Sequence, residues 1–310
     1  MTNRLENYTR LNNAFKKTLV FRVGIDAGFF SEYIDMILAM LYCLDNKIKF
    51  TLYSKGANFS YEKGWTDYFL PFCEEEHNLF HSKCNFKRYH YKKLTIRVFL
   101  RYLYAFIFHL FHKDIFLTVD KYLLFHNKQF EQKHFYIPEL GIDGDLQSAI
   151  HVLIDLTWHH NASTRKNIDD LIASLHLPEH YIGFHIRSGD KIIETELFAP
   201  TNYIELAQKH FPQWEHAFVL TDNYLVIDEL KQIEKRNFYT LCGKEERGYF
   251  HRTFQKQDKT VIRQAQERLF ASVDVLSKSD IFIGTFSSGP SGYLNIRMPK
   301  GKAFSLDKIN

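Results

Sequence analysis

The sequence predicts an α/β protein built on parallel sheets, and three observations lead there. Short apolar runs rich in Val, Ile, Phe and Tyr alternate with segments of helical periodicity, the pattern of βαβ units. A glycine-containing turn, Gly24 to Ser31, separates the first such run from the first such helix. Each apolar run of the second half ends in polar residues, where open parallel sheets hold their ligands.

The elements follow in order. Thr18–Val23 reads as a strand, Ser31–Leu44 as a helix with Ile34, Ile37, Leu38, Leu41 and Tyr42 on one face, and Ile48–Ser54 as a second strand. Residues 55–135 are aromatic, His-rich and basic, with helices expected near 65–72 and 94–112; they read as a specialised face rather than regular scaffold. A boundary is expected between Pro138 and Leu177, which divides the chain into residues 1–160 and 161–310. The helix Ser163–Leu175 leads into the second part. There the expected order is strand Tyr181–Ile186, helix Pro200–Lys209, strand His216–Leu220, helix Leu225–Lys235 and strand Asn237–Leu241. A long helix Thr260–Ser277, strand Asp280–Gly284, a short helix near Gly292–Arg297 and an apolar stretch Ala303–Leu306 close the series.

Composition sets bounds. At 310 residues there is room for two domains of ordinary size, and 45% apolar with 25% charged residues is globular usage. A net charge of +4, with no recognition motif, gives no case for nucleic acid and suits an anionic small-molecule partner. The 29 Phe and 18 Tyr fit either a ring-rich core or sugar stacking. Cys43, Cys73, Cys84 and Cys242 have no metal spacing; Cys73 and Cys84 could pair, but a reducing compartment is the expectation. The polar start lacks the apolar core of a secretory signal, so the sequons at Asn7, Asn58 and Asn161 read as chance and the protein as cytoplasmic. No run reaches the length of a membrane span. Val98–Phe111, with Lys92, Lys93, Arg97, Arg101, His109, His112 and Lys113 around it, is either a buried helix with cationic ends, the favoured reading, or an interfacial one making peripheral membrane contact through 92–113.

Three strand ends gather chemistry on one predicted rim: His185, Arg187, Asp190 and Lys191; Asp222 and Asn223; and Thr285, Phe286, Ser287 and Ser288. Arginine offers a flat fork of donors that fits a phosphate and lysine a compact point charge. A Ser-rich turn at a helix amino end adds backbone N–H groups and the helix dipole. Each end also has an ordinary reading. Asp222-Asn223 is a helix-capping pair, Ser287-Ser288 starts a helix, and the charged loop makes a solvated turn.

These residues resemble the α-1,6-fucosyltransferases, and more distantly the protein O-fucosyltransferases and α-1,2-fucosyltransferases. The resemblance runs through His185-Ile-Arg187-x-x-Asp190-Lys191 with Pro200 nine residues after the Lys, Leu220-Thr-Asp222-Asn223, and Leu276-Ser-Lys-Ser-Asp280-Ile-Phe-Ile-Gly-Thr285-Phe-Ser-Ser288. It covers roughly residues 150–300; the first half is similar only in outline. It implies a GT-B-like architecture of two Rossmann-like domains facing across a cleft, with 1–160 on the acceptor side and 161–310 binding the nucleotide sugar. It further implies an inverting transfer of fucose from GDP-fucose to a glycan hydroxyl, with no metal or other cofactor.

By that resemblance Arg187 grips the diphosphate and Lys191 stabilises the leaving GDP. His185 and Asp190 belong to the donor site, Asp222 and Asn223 to the guanosine region, and Thr285–Ser288 to the phosphates. The chain departs from the pattern in places. Ser188 replaces a second Arg. The Glu that activates the acceptor aligns with Thr195, flanked by Glu194, the first choice for a base, and Glu196. A helix Asp of the donor site aligns with Ser272, with Asp274 two residues on as a weak substitute in donor binding, since the two point to different faces of the helix, and a second Asp is here Asn223. His251 and Arg252 are further candidates for nucleotide contact. Two other readings stay open: a transferase using another GDP-sugar, and a catalytically silent sugar- or membrane-binding protein.

Overall fold

The computed structural model describes residues 2–25, 27–87, 95–188, 198–249, 254 and 256–307. The chain divides into two compact units, Met1–Asn161 and Ala162–Asn310, each with its own parallel sheet.

Unit 1 begins with a helix that the sequence reading did not expect, α1 (Thr2–Asn13), then β1 (Lys17–Arg22), α2 (Phe29–Asp45) and β2 (Ile48–Tyr53). After α3 (Phe80–Cys84) and α4 (Ile96–Phe111) come β3 (Ile115–Leu117), α5 (Thr118–Lys121) and α6 (Lys128–Glu131). A hairpin of β4 (Phe135–Ile137) and β5 (Ile142–Gly144) and the helix α7 (Leu146–Thr157) complete the unit. β1 runs parallel between β2 and β3, with Lys17 opposite Ile48 and Thr18 opposite Ile115. α2 is buried on nearly every side, as a helix without a polar face must be. The turn after β1 needs Gly24: its φ is +71°, and a Cβ there would strike Ala57.

The helix expected over 65–72 is instead one 3₁₀ turn, Trp65–Asp67. Buried Asp67 explains the difference. Its carboxylate accepts N–H bonds from Tyr61, Glu62, Lys63 and Gly64, a local turn that outcompetes helix formation. The rings of this region are core. Trp65 stacks on Phe69 at 4.3 Å and on Tyr33 at 5.9 Å, and Phe69 meets Trp158 at 5.1 Å. All four cysteines are free thiols, so Cys73 and Cys84 do not pair.

Unit 2 follows the expected alternation. It runs α8 (Ala162–Ser174), β6 (Ile182–Ile186), α9 (Pro200–His210), β7 (His216–Thr221), α10 (Leu225–Ile233), β8 (Asn237–Tyr239), α11 (Lys259–Leu276), β9 (Phe282–Gly284), α12 (Gly289–Arg297) and β10 (Ala303–Ser305). The sheet order is β10-β9-β6-β7-β8, all parallel. Counted from β6, the strands lie 3-2-1 to one side and then 4-5 to the other, the doubly wound order whose direction reverses between the first and fourth strands. β6 is buried along its whole length, and Ile182, Phe184 and Ile186 pack with Tyr203, Trp214 and Ile283. The Arg236 guanidinium lies 4.2 Å over the Trp214 ring.

Candidate active site at the switch point of the second sheet

The reversal of strand order leaves the carboxyl ends of β6 and β9 side by side and flanked by connections that depart in opposite directions, which is where such sheets hold ligands. Phe184 pairs with Ile283, so the next residues of both strands, His185 and Gly284, lead out together.

His185 remains inside. It is 2% exposed and its Nδ1 lies 2.7 Å from the Ser291 Oγ on α12. The sequence reading set this imidazole against a nucleotide; here it ties the central strand to a helix. Gly284 makes the tie possible, because a Cβ at that position would collide with the Ser291 hydroxyl and the Phe282 ring.

Arg187 is the first side chain beyond β6 to approach solvent, at 22% exposure. Its Nε stands 3.6 Å from Asp222 Oδ2, and its guanidinium lies 5.6 Å over the Tyr249 ring. Asp222, at the end of β7, joins three segments. Oδ1 accepts the Ser188 N–H at 2.8 Å, Oδ2 accepts the Tyr249 N–H at 3.0 Å, and the Asp222 carbonyl accepts the Gly248 N–H at 2.7 Å. The result is a cation held by an anion and an aromatic face, oriented before any ligand arrives. Such preorganisation removes part of the ordering cost of binding an anion. Tyr249 was missed by the sequence reading; its only signal is its place in the loop Gly248–Arg252.

Asn223 takes the capping role that was the ordinary alternative, its Oδ1 accepting the Leu225 N–H at 3.1 Å. Asp274, 4% exposed, binds Arg297 at 2.9 Å and Arg165 at 3.4 Å, cross-linking α8, α11 and α12. Its carboxylate is thereby committed to scaffold. Lys191, Asp190, Glu194 and Glu196, together with His251 and Arg252, lie outside the described residues.

The Ser-rich turn after β9 holds a surprise. The backbone N–H groups of Phe286 and Ser287, expected to face a phosphate, donate to Asp307 at 2.8 and 3.0 Å. Burial raises the Asp307 pKa, but hydrogen bonds from Ser287, Ser305 and Phe286 outweigh it and hold the carboxyl down at about 2. The turn is therefore an anion cradle, as read from its residues, but a side chain of the chain itself occupies two of its donors. Asp307 was missed because it lies one residue past the last apolar stretch. Thr285 and Ser288 flank this contact, with Ser288 buried at the start of α12.

Unit 1 has a charged cluster of its own around the Gly24 turn. Glu32 accepts the Gly24 N–H at 2.9 Å and the Ala27 N–H at 3.2 Å. Lys87 Nζ bonds Glu32 at 2.8 Å and Asp35 at 2.6 Å, and both Lys87 and Glu32 have fully buried side chains. His126 adds a 3.2 Å contact to Asp35. Among the described residues no group of three or more His, Cys, Asp or Glu is placed to hold a metal ion. The Asp143-Gly-Asp145 pair has local partners: Asp143 bonds His134, and Asp145 caps α7 through the Ser148 N–H.

No protein-family model matches the chain, and no curated protein matches it in sequence. Solved structures do match in fold. A NodZ alpha-1,6-fucosyltransferase soaked with GDP-fucose aligns with a TM-score of 0.55 at 12% identity, over 92% of this chain and 93% of that one. The fucosyltransferase NodZ from Bradyrhizobium aligns with a TM-score of 0.55 at 11% identity, over 92% and 94%. NodZ co-crystallised with GDP aligns with a TM-score of 0.53 at 11% identity, over 92% and 93%. The chain thus has a fucosyltransferase-like fold across nearly its whole length.

Proposed function

We propose that the protein is a glycosyltransferase that moves fucose from GDP-fucose to a glycan hydroxyl, with inversion and without a metal ion, and that unit 2 binds the donor. One observation carries the reading. Arg187 sits at the switch point of a doubly wound sheet, braced by Asp222 and Tyr249, in a chain that shares its fold with proteins solved with GDP-fucose and GDP.

The chemistry asks for such a group. The bond between the sugar's anomeric carbon and the β-phosphate oxygen breaks, and its electron pair leaves with GDP. Negative charge grows on the diphosphate in the transition state, so a fixed cation there stabilises that state more than the ground state. Arg187 takes this role, with Lys191 beside it in sequence. The acceptor hydroxyl forms the new bond to the anomeric carbon and gives up its proton to a carboxylate, Glu194 first and Glu196 second. Unit 1 serves the acceptor.

The departures from the fucosyltransferase pattern at the phosphates favour a second reading that keeps the fold and changes the donor to another GDP-sugar. Ser188 stands where a second Arg is expected, and Asp307 fills two cradle donors. Turnover of GDP-fucose, with and without chelator, tests the first reading: Arg187→Ala should nearly abolish it and chelator should not. Full activity in the variant, or strict metal dependence, overturns the mechanism. Thermal-shift comparison among GDP-sugars, with UDP as control, separates the two donors.

A further inference from the structure

The helix α4 contradicts the favoured sequence expectation of a buried helix. Only one side of it is covered: Val98 and Ala105 are buried and Phe108 stacks on Phe80 at 4.5 Å. The other side is apolar and open. Ten of the 19 large apolar side chains that stand exposed among the described residues are on this one helix, including Phe99, Phe106, Leu110 and Phe111 at 55, 62, 55 and 79%. A helix that is apolar all round is stable only when something apolar covers it. At 16 residues it is about 24 Å long, and no described helix is long and apolar enough to cross a membrane.

Charge narrows what the cover can be. Residues 77–113 contain eight Lys and Arg and not one Asp or Glu, while the whole chain has 40 basic and 36 acidic residues; one of the eight, Lys87, is buried against Glu32 and Asp35, which leaves seven. The rest of the protein is therefore net acidic, at 32 against 36, and the cationic excess is concentrated on the segment that carries the open apolar face. A second copy docking face to face would set this cationic segment against itself. A nucleic acid would leave the rings without an apolar medium.

We infer that α4 binds the surface of a bilayer containing anionic lipid. It lies flat, with the Phe99, Leu103, Phe106 and Leu110 side in the headgroup–acyl boundary, and the basic composition of the surrounding sequence draws it to anionic headgroups. This stands independently of the donor reading, since the face belongs to unit 1 and uses none of the switch-point residues.

The test is flotation of the full chain with vesicles of phosphatidylcholine alone and of phosphatidylcholine mixed with phosphatidylserine. Binding is expected to the mixed vesicles and to weaken as salt rises. The exposed-face variant Leu103→Glu/Phe106→Glu should lower partitioning by about tenfold or more. The neutral variant Leu103→Gln/Phe106→Gln, with unchanged thermal unfolding, should also lower it, which separates lost insertion from lost folding. Absence of binding to both vesicle types overturns the inference. Equal binding to both overturns the anionic assignment. Self-association without vesicles that the same substitutions abolish assigns the face to a second copy instead, and capture by an acidic protein partner with no vesicle binding does so for that class.

Discussion

Asp222 reaches from the end of β7 to Arg187 at the end of β6, with its Oδ2 3.6 Å from the guanidinium Nε. The same carboxylate closes the backbone of both neighbouring loops through Ser188 and Tyr249. Asp222 therefore holds Arg187 and both loops in place, the part of a positioning residue under the proposed function.

Asp222→Asn keeps the volume and removes the charge. Whichever way the amide turns, one N–H of Ser188 or Tyr249 meets an N–H instead of an oxygen. A fully buried donor left unmade costs about 1–3 kcal/mol, and these two are half-buried, so the cost lies at the low end of that range. The unfolding free energy should fall by up to that amount, read as a lower urea midpoint with the slope unchanged; an unmoved midpoint would mean the loops close without this carboxylate.

Gly284→Ala places a methyl against the Ser291 hydroxyl that holds His185. Overpacking of this kind costs about 1–3 kcal/mol. Because the clash and the hydrogen bond share one atom, Gly284→Ala and Ser291→Ala should be less than additive in a double-mutant cycle. Simple additivity would show that α12 yields elsewhere.

Lys87→Met takes the amine from the buried Glu32 carboxylate and from the half-buried Asp35, which keeps His126 and Tyr122 as partners. Breaking a buried pair from one side costs about 3–5 kcal/mol, so unit 1 should unfold at a clearly lower temperature. Burial alone would lower the lysine's pKa; the two carboxylates outweigh it and raise it. The contribution is then complete below the unfolded lysine pKa of about 10.4 and is lost only in stronger base. Thermal unfolding of the variant that matches the parent at neutral pH would refute the cluster's structural role.

Asp307→Asn tests the occupied cradle through pH. The native carboxyl is held at about 2, below its unfolded value near 3.9. Its stabilisation is present above the unfolded value and disappears as pH falls through the native one. The gap in melting temperature between parent and variant should be constant from neutral pH down to about pH 5 and then close in stronger acid. A gap that does not depend on pH would place the effect in shape rather than charge.

Much of unit 2 was legible because its signals are local. Each strand is a short apolar run with a polar residue just beyond it, and Arg187, Asp222 and Ser288 fall at ends that the register then brings side by side. What escaped depends on distant partners. Nothing near Asp307 in sequence announces that it will meet Phe286 and Ser287, twenty residues away. Asp274 read as a donor contact because its helix position was visible and its partners, Arg165 and Arg297, were not. In unit 1, periodicity gave 65–72 as helix without weighing the Asp67 side chain against the backbone. The apolar α4 likewise announced its composition but not which side would lack a partner.

The placement of the three tryptophans gives each half of the molecule its own optical reporter. Trp65 and Trp158 share the ring stack of unit 1, whereas Trp214 is alone beneath a guanidinium in unit 2. Replacing Trp214 with Phe would leave indole emission that tracks the first half only. The spectrum subtracted from the parent's would report the second. Loss of order in either half, or ligand-induced tightening of one, can thus be followed by intrinsic fluorescence without attaching a dye.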